Sequence, residues 1–304
     1  MTLLTASSWL LVFVHPHSAL ASEPLWQLAL HADASRALRA IVGVIAAIAL
    51  FALHRLIRLM RRDALPPPGA DVDRARPVVE RSVWTYANLV LRGDKALLFS
   101  KAGDAFLMYG RKGRSWIAMG DPIGSEEGVR ELVQRFRDLC DRFGAKCVFF
   151  EVRPERRTLY TDLGLSLTQL GEEARVELSQ FTLDIPAHKD LRQARAKLLR
   201  SGCRFEILPR DAVTAVLPAL GRISDAWLAK KATREKSFSN ASFDARYLTQ
   251  FPVAVVRRGD EMIAFANLWL GAGKEELSVD LMRHLPDAPN GTMDFLFSAL
   301  MLWG

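Results

Sequence analysis

The sequence predicts an α/β chain made of two successive strand-and-helix units behind one membrane-spanning helix. Three observations carry that expectation. Ile41–Leu53 has no charged residue, and Arg55, Arg58, Arg61 and Arg62 crowd its C-terminal side. From Val78 onward, short β-type apolar runs alternate with runs of helical period. A second round of the same kind begins near Asp190, about as long as the first. The expected divisions are a membrane-associated region at 1–62, a linker at 63–77, a first unit at 78–185 and a second at 186–304.

The N-terminal elements follow from apolar length and charge. Leu10–Val14 is a short apolar run, followed by Ala19-Leu20-Ala21, which has the form of a cleavage site. A basic stretch ahead of the run is missing, so the end of an earlier membrane helix and an outside loop fit better. The helix at about 38–59 has an uncharged core shorter than the ~20 residues a bilayer demands. It reaches that length if Arg39, His54 and Arg55 extend their heads towards the interface. The one-sided arginines place everything after Arg62 in the cytoplasm. Pro66, Pro67 and Pro68 mark an exposed linker.

In the first unit, strand-like runs lie at Ala96–Ser100, Ala105–Tyr109, Trp116–Met119 and Lys146–Glu151. Between the last two, Val129, Leu132, Val133, Phe136 and Leu139 mark one face of a helix over Glu126–Phe143. A short helix starts at Pro154 and stops at Gly164, and strands are expected at Leu165–Leu170 and Glu177–Leu183. The second unit opens with a basic helix over Asp190–Arg200 and a strand at Arg204–Leu208. A helix over Val213–Ala229 follows, with a break or restart expected at Pro218. Strands at Val253–Arg257, Met262–Leu270 and Leu277–Met282 are joined by turns at Arg258-Gly259-Asp260 and Gly271–Lys274. A last helix starts at Thr292, and its lack of a cap at Trp303-Gly304 reads as a fragment of a longer protein.

Composition narrows the chemistry. The 304 residues are half apolar, with a net charge of +7 and a pI near 9.5, which favours an anionic partner: nucleic acid or an acidic membrane face. Cys140, Cys147 and Cys203 have neither an even count nor CxxC spacing, so neither a disulfide framework nor a metal site is expected. The histidines form no ligand cluster. Neither a GxSxG elbow, HExxH, a Walker A loop nor GxGxxG occurs.

Three charged clusters remain. Arg192, Arg195, Lys197 and Arg200 lie on one helix without acidic partners four residues away, a stripe suited to phosphates of tRNA or lipid; a solvated face has the same pattern. Lys230 and Lys231 lead into Glu235, Lys236 and Phe238, a loop that mixes cations, an acid and aromatics. Asp280 and Arg283 place charges in an otherwise apolar strand, where they need partners or a site. Three residues apart, they face opposite sides of a regular strand and converge only if it ends or bulges between them. A structural pair pinning the strand end fits equally well.

Four stretches carry a resemblance. They are Gly113-Arg114-Ser115-Trp116 with Gly120-Asp121-Pro122, Glu235-Lys236-Ser237-Phe238-Ser239, Asp280-Leu281-Met282-Arg283, and Ala288-Pro289-Asn290-Gly291-Thr292-Met293-Asp294-Phe295-Leu296-Phe297. Together they resemble the multiple peptide resistance factor family, the phosphatidylglycerol lysyltransferases and alanyltransferases, from about Val83 to the end. The resemblance implies tandem acetyltransferase-like (GNAT) units behind membrane helices in a bacterial inner membrane, facing the cytoplasm. It implies transfer of an aminoacyl group, with lysyl expected, from aminoacyl-tRNA to the headgroup hydroxyl of phosphatidylglycerol, without a cofactor and with a homo-oligomer among the expected assemblies. The result would be a less anionic membrane and resistance to cationic peptides. By the same likeness Asp280, Arg283, Glu235 and Lys236 are catalytic. Arg192, Arg195, Lys197, Arg200, Lys230 and Lys231 would bind tRNA or lipid. The chain departs from the family at Asn240-Ala241, where Leu-Gly is usual, and stops at Gly304, short of the usual length. The rivals are a coenzyme-A-dependent acyltransferase and a non-catalytic membrane-tethered module. Residues 284–292 lack the glycine spacing of a pyrophosphate loop, which counts against the first.

Overall fold

A computed structural model of the chain describes residues 36–62, 68–231, 238–239 and 242–304. Leu10–Val14, Ala19-Leu20-Ala21, Glu235 and Lys236 therefore lie outside the described residues. The chain divides into two compact units, Met1–Leu65 and Pro66–Gly304. In the first, helix α1 (Arg36–Arg62) runs for 27 residues, with Val44, Ile48, Leu50, Phe51 and Leu53 exposed. Among the described residues no helix is long and apolar enough to cross a membrane.

The second unit is mixed α/β. After α2 (Val72–Arg81) and a 3₁₀ turn at Thr85–Arg92, β1 (Ala96–Phe99), β2 (Ala105–Lys112) and β3 (Ser115–Met119) form an antiparallel meander. The β2–β3 link is the two-residue Gly113-Arg114, with Gly113 at φ +59, a left-handed conformation that glycine adopts without strain. A two-residue β4 (Ile123–Gly124) also pairs with β2. Helix α3 (Glu126–Arg142) crosses over to β5 (Lys146–Phe150), which runs parallel to β3. Ser125 caps α3 by accepting the Gly128 amide at 3.1 Å, and the helix buries Val129, Leu132, Val133, Phe136 and Cys140. A short α4 (Arg157–Thr161) ends this half.

The second sheet is wholly antiparallel, in the order β6 (Cys203–Leu208), β7 (Val253–Arg258), β8 (Glu261–Leu270), β9 (Leu277–His284). Helices α5 (Lys189–Arg200) and α8 (Thr292–Trp303) cover one face, where Leu198, Phe295 and Leu296 pack with Ala264 and Ala266. On the other face lie α6 (Val213–Lys231) and the single turn α7 (Ala245–Leu248). There Leu220, Ile223 and Tyr247 join Phe265, Trp269 and Leu281 in a core shared with Leu97, Phe99, Phe106 and Met108 of the first sheet. The two sheets thus bury their inner faces in one apolar mass, which positions the site.

Two expectations need correction. The strands expected at 165–170 and 177–183 do not form: Leu167, Leu170 and Val176 are exposed, and the only regular element is a 3₁₀ turn at Leu178–Gln180. An alternating pattern shows that a segment suits a sheet, but an edge must also accept it, and this segment joins no ladder among the described residues. Pro218 does not interrupt α6, which runs on to Lys231. The missing proline amide costs a helix roughly 3 kcal/mol, and burial of Leu220 and Ile223 just beyond it offsets that. Lys230 and Lys231 thus lie in α6, whereas the sequence pattern places them in a loop.

Candidate active site at the bulge of β9

The register between β8 and β9 decides where the charges point. Ala266 pairs with Met282 and Leu268 with Val279, so Asp280 and Leu281 together stand opposite the single residue Asn267. This is a β-bulge, which restarts the inside–outside alternation. Val279 packs on the α5–α8 side, while Leu281 lies in the shared core. Asp280 meets α7 and Arg283 meets α6, both on the inner face. The convergence that a regular strand forbids is therefore achieved within it.

Asn267 holds the bulge. Its side chain is fully buried, and its Oδ1 accepts the Leu281 amide at 2.7 Å. That bond satisfies an amide which the ladder would otherwise leave stranded. The Asn267 Nδ2 is buried and has no hydrogen-bond partner among the described residues.

Around the bulge the partners are specific. The Tyr247 hydroxyl donates to Asp280 Oδ2 at 2.9 Å and accepts from Trp269 Nε1 at 3.0 Å. Burial first, then the Asp280 charge, push the Tyr247 phenol above its ordinary pKa, so it stays a proton donor to the carboxylate. Arg283 is 3% exposed; its Nη1 donates to Ser224 Oγ, and its Cζ lies 5.3 Å from the Trp227 ring centroid. Ser224 and Trp227 are three apart on α6, so one helix face meets the guanidinium twice.

The first sheet contributes a second set of charges. Asp94 accepts from Lys95 Nζ at 2.8 Å and pairs with Arg92 at 3.3 Å, and Arg92 also donates to Ser242 Oγ at 3.0 Å. Phe238, from the Glu235–Ser239 motif, lies on β2 at Gly110, where an added Cβ would be 2.9 Å from its ring. Phe238 holds φ at +92, unusual for a residue with a side chain. Its ring centroid is 5.7 Å from Lys95 Nζ and 6.1 Å from that of Phe150.

The other expected site residues lie apart. Helix α5 is on the opposite face of the second sheet, so Arg192, Arg195, Lys197 and Arg200 do not join Asp280. Arg192 also donates to the carbonyls of Leu183 and Ile185, which ties it to the chain ahead of α5. Lys197 and Arg200 are exposed and Arg195 is half-buried. Lys230 donates to the Pro286 carbonyl at 3.1 Å, and Lys231 lies 6.0 Å from the Trp227 ring. The first motif buttresses its own sheet: buried Asp121 accepts from Arg153 Nε at 2.8 Å and from the Tyr160 hydroxyl, and Arg153 stacks 3.7 Å over Trp84. In the last motif Gly291, at φ +92, lets α8 approach α5. Sequence reasoning missed Lys95, Tyr247, Ser224 and Asn267. Only Lys95 left a local signal, as a charge opening the apolar run Ala96–Phe99.

Comparison with known proteins adds a family. The model described as phosphatidylglycerol lysyltransferase, C-terminal, matches residues 76–304. The phosphatidylglycerol lysyltransferase of Bacillus subtilis is 36% identical over 225 residues, covering 74% of this chain and 26% of that protein. The chain thus spans about a quarter of that relative's length. Among solved structures, the C-terminal domain of a putative lysylphosphatidylglycerol synthetase from Agrobacterium fabrum is 42% identical with a TM-score of 0.74. The likeness covers 76% of this chain and 73% of that one. L-PGS from Bacillus licheniformis is 30% identical with a TM-score of 0.73, covering 78% and 73%.

Proposed function

The chain belongs to the phosphatidylglycerol lysyltransferase C-terminal family, and from that membership we propose that the bulge of β9 is the centre of an aminoacyltransferase site. The reaction is ester exchange: the headgroup hydroxyl of phosphatidylglycerol attacks the ester carbonyl of a charged tRNA, with lysyl as the cargo. The ester is already activated, so the site needs to juxtapose the two substrates and stabilise the charge that develops. One observation carries the reading: a bulge places an acid and an arginine on the same inner face, each fixed by a side-chain partner. Asp280, oriented by Tyr247 and joined by Glu235, holds the ammonium of the aminoacyl group. Arg283, with Lys236, holds the lipid phosphate or the oxyanion. In this reading residues 78–185 and 186–304 are two GNAT-like units sharing one core. Lipids extracted from cells expressing the complete gene should contain a new ninhydrin-positive phospholipid; its absence overturns the assignment.

The basic face of α5 is then a docking surface for tRNA or the anionic lipid surface, supplemented by Lys230 and Lys231. Arg195→Glu with Arg200→Glu should weaken binding to one of these partners at least tenfold at low salt, and the wild-type affinity should fall as salt rises. Unchanged binding of both partners would leave α5 a solvated face. Helix α1 supplies the membrane anchor in the same scheme, with its exposed apolar side chains in lipid and the rest of the protein on the cytoplasmic side of the inner membrane. Fusions placed after Pro68 should be active with a cytoplasmic reporter only; an active periplasmic phosphatase there would reverse the topology.

A further inference from the structure

The strongest unexplained group in the shared core is an amine. Lys95 stands one residue before β1, and its amine lies 5.7 Å from the ring centroid of Phe238, which packs against the core that holds Leu97, Phe99 and Phe265. Phe238 in turn lies on Gly110 of β2, next to Tyr109, the partner of Ala96. Lys95 is only 3% exposed. Lysines are almost never buried to that extent without a partner or a task. Its partner is the adjacent Asp94, which has a second cation in Arg92. The charged groups of the described residues that act on it are Asp94 and Arg92 on its own segment and Asp280 on β9, and Arg92 reaches across to Ser242 Oγ at 3.0 Å. The first sheet thus delivers an amine to a site otherwise built on the second.

We propose that Lys95 is the proton-transferring residue of the aminoacyl transfer, completing across the inter-sheet core the site centred on Asp280 and Arg283. The inference rests on the transfer reaction proposed above. As the headgroup hydroxyl forms the new C–O bond to the aminoacyl carbonyl, the neutral amine takes its proton. As the old C–O bond to the ribose breaks, the ammonium returns that proton to the ribose oxygen. No other reactant enters. Burial, the largest influence on Lys95, pushes its pKa below the ordinary lysine value against the opposing pull of Asp94. That direction makes the neutral amine more accessible near neutrality.

The test uses the complete gene product with phosphatidylglycerol vesicles and charged tRNA. Turnover, KM, thermal melting and the pH dependence of turnover are measured for wild type, Lys95→Met and Lys95→Arg. The expected result is a fall in turnover of about 10²–10⁴-fold in both variants with KM within a few-fold. Wild-type turnover should rise with pH through an ionisation that is missing from the residual activity of Lys95→Met. Arginine does not rescue a proton carrier, because it does not deprotonate. Recovery to within about threefold in Lys95→Arg would show that a fixed cation suffices and would overturn the proposal. So would the same pH limb in Lys95→Met. If Lys95→Arg melts far below wild type, the pH profile of Lys95→Met decides alone. An active wild type with an unaffected Lys95→Met overturns this role only, whereas a wild type that forms no aminoacylated lipid overturns the transfer reading with it.

Discussion

Replacing Asp280 by alanine is expected to abolish aminoacylated lipid, with kcat/KM reduced at least ~10²-fold, while the melting temperature stays near that of the wild type. The Asp280 carboxylate accepts a hydrogen bond from the neutral Tyr247 hydroxyl, and a typical hydrogen bond of that kind contributes only about 0.5–1.5 kcal/mol net. Asp280→Asn is the finer probe, since an amide oxygen still accepts from Tyr247 while the negative charge is lost. Arg283→Ala should be equally inactive but less stable. Its guanidinium is buried between Ser224 and Trp227, and removing it strands the Ser224 hydroxyl at a cost of about 1–3 kcal/mol. Product formation measured beside thermal unfolding separates the roles. A purely structural pair predicts that activity and stability fall together in both variants. Normal lipid product from both would end the assignment of either residue to the site.

Asn267→Leu is expected to remove activity without touching any group that meets substrate. Leucine has the same branched outline, with bulkier methyl ends and no acceptor, so the Leu281 amide loses its bond and stability falls by about 1–3 kcal/mol. More consequential is the register. Without the Asn267 Oδ1 to hold two β9 residues opposite one on β8, the strand is free to return to regular pairing, which turns Asp280 and Arg283 to opposite faces. Faster hydrogen exchange at the Leu281 amide should accompany the loss of turnover. Full activity in Asn267→Leu would show that the bulge persists without its plug, and that the side chain does not position the site.

Much of this protein was legible in its residues because the signals are local. Apolar spacing of 3.6 and 2.0 located the helix over Glu126–Arg142 and, apart from the two-residue β4, the strands of both sheets, and glycine punctuation located the turns at Gly259 and Gly271–Lys274. Charge in an apolar strand drew attention to Asp280 and Arg283, and the motifs identified the family. Where local pattern and partner availability diverged, at 165–183, the sequence misled, because an alternating segment contains no record of whether a sheet edge will accept it. The expectations at Glu235 and Lys236 lie outside the described residues. Only the tertiary structure decided on which face Asp280 and Arg283 stand, since that depends on a one-residue mismatch between β8 and β9 stabilised by a side chain 13 or 14 positions earlier. It alone brought Lys95, 185 residues before Asp280 in the chain, into the same core. The physical reason is shared: strand parity and burial of a charge are set by what pairs across space, and the energies that settle them come from partners distant in sequence.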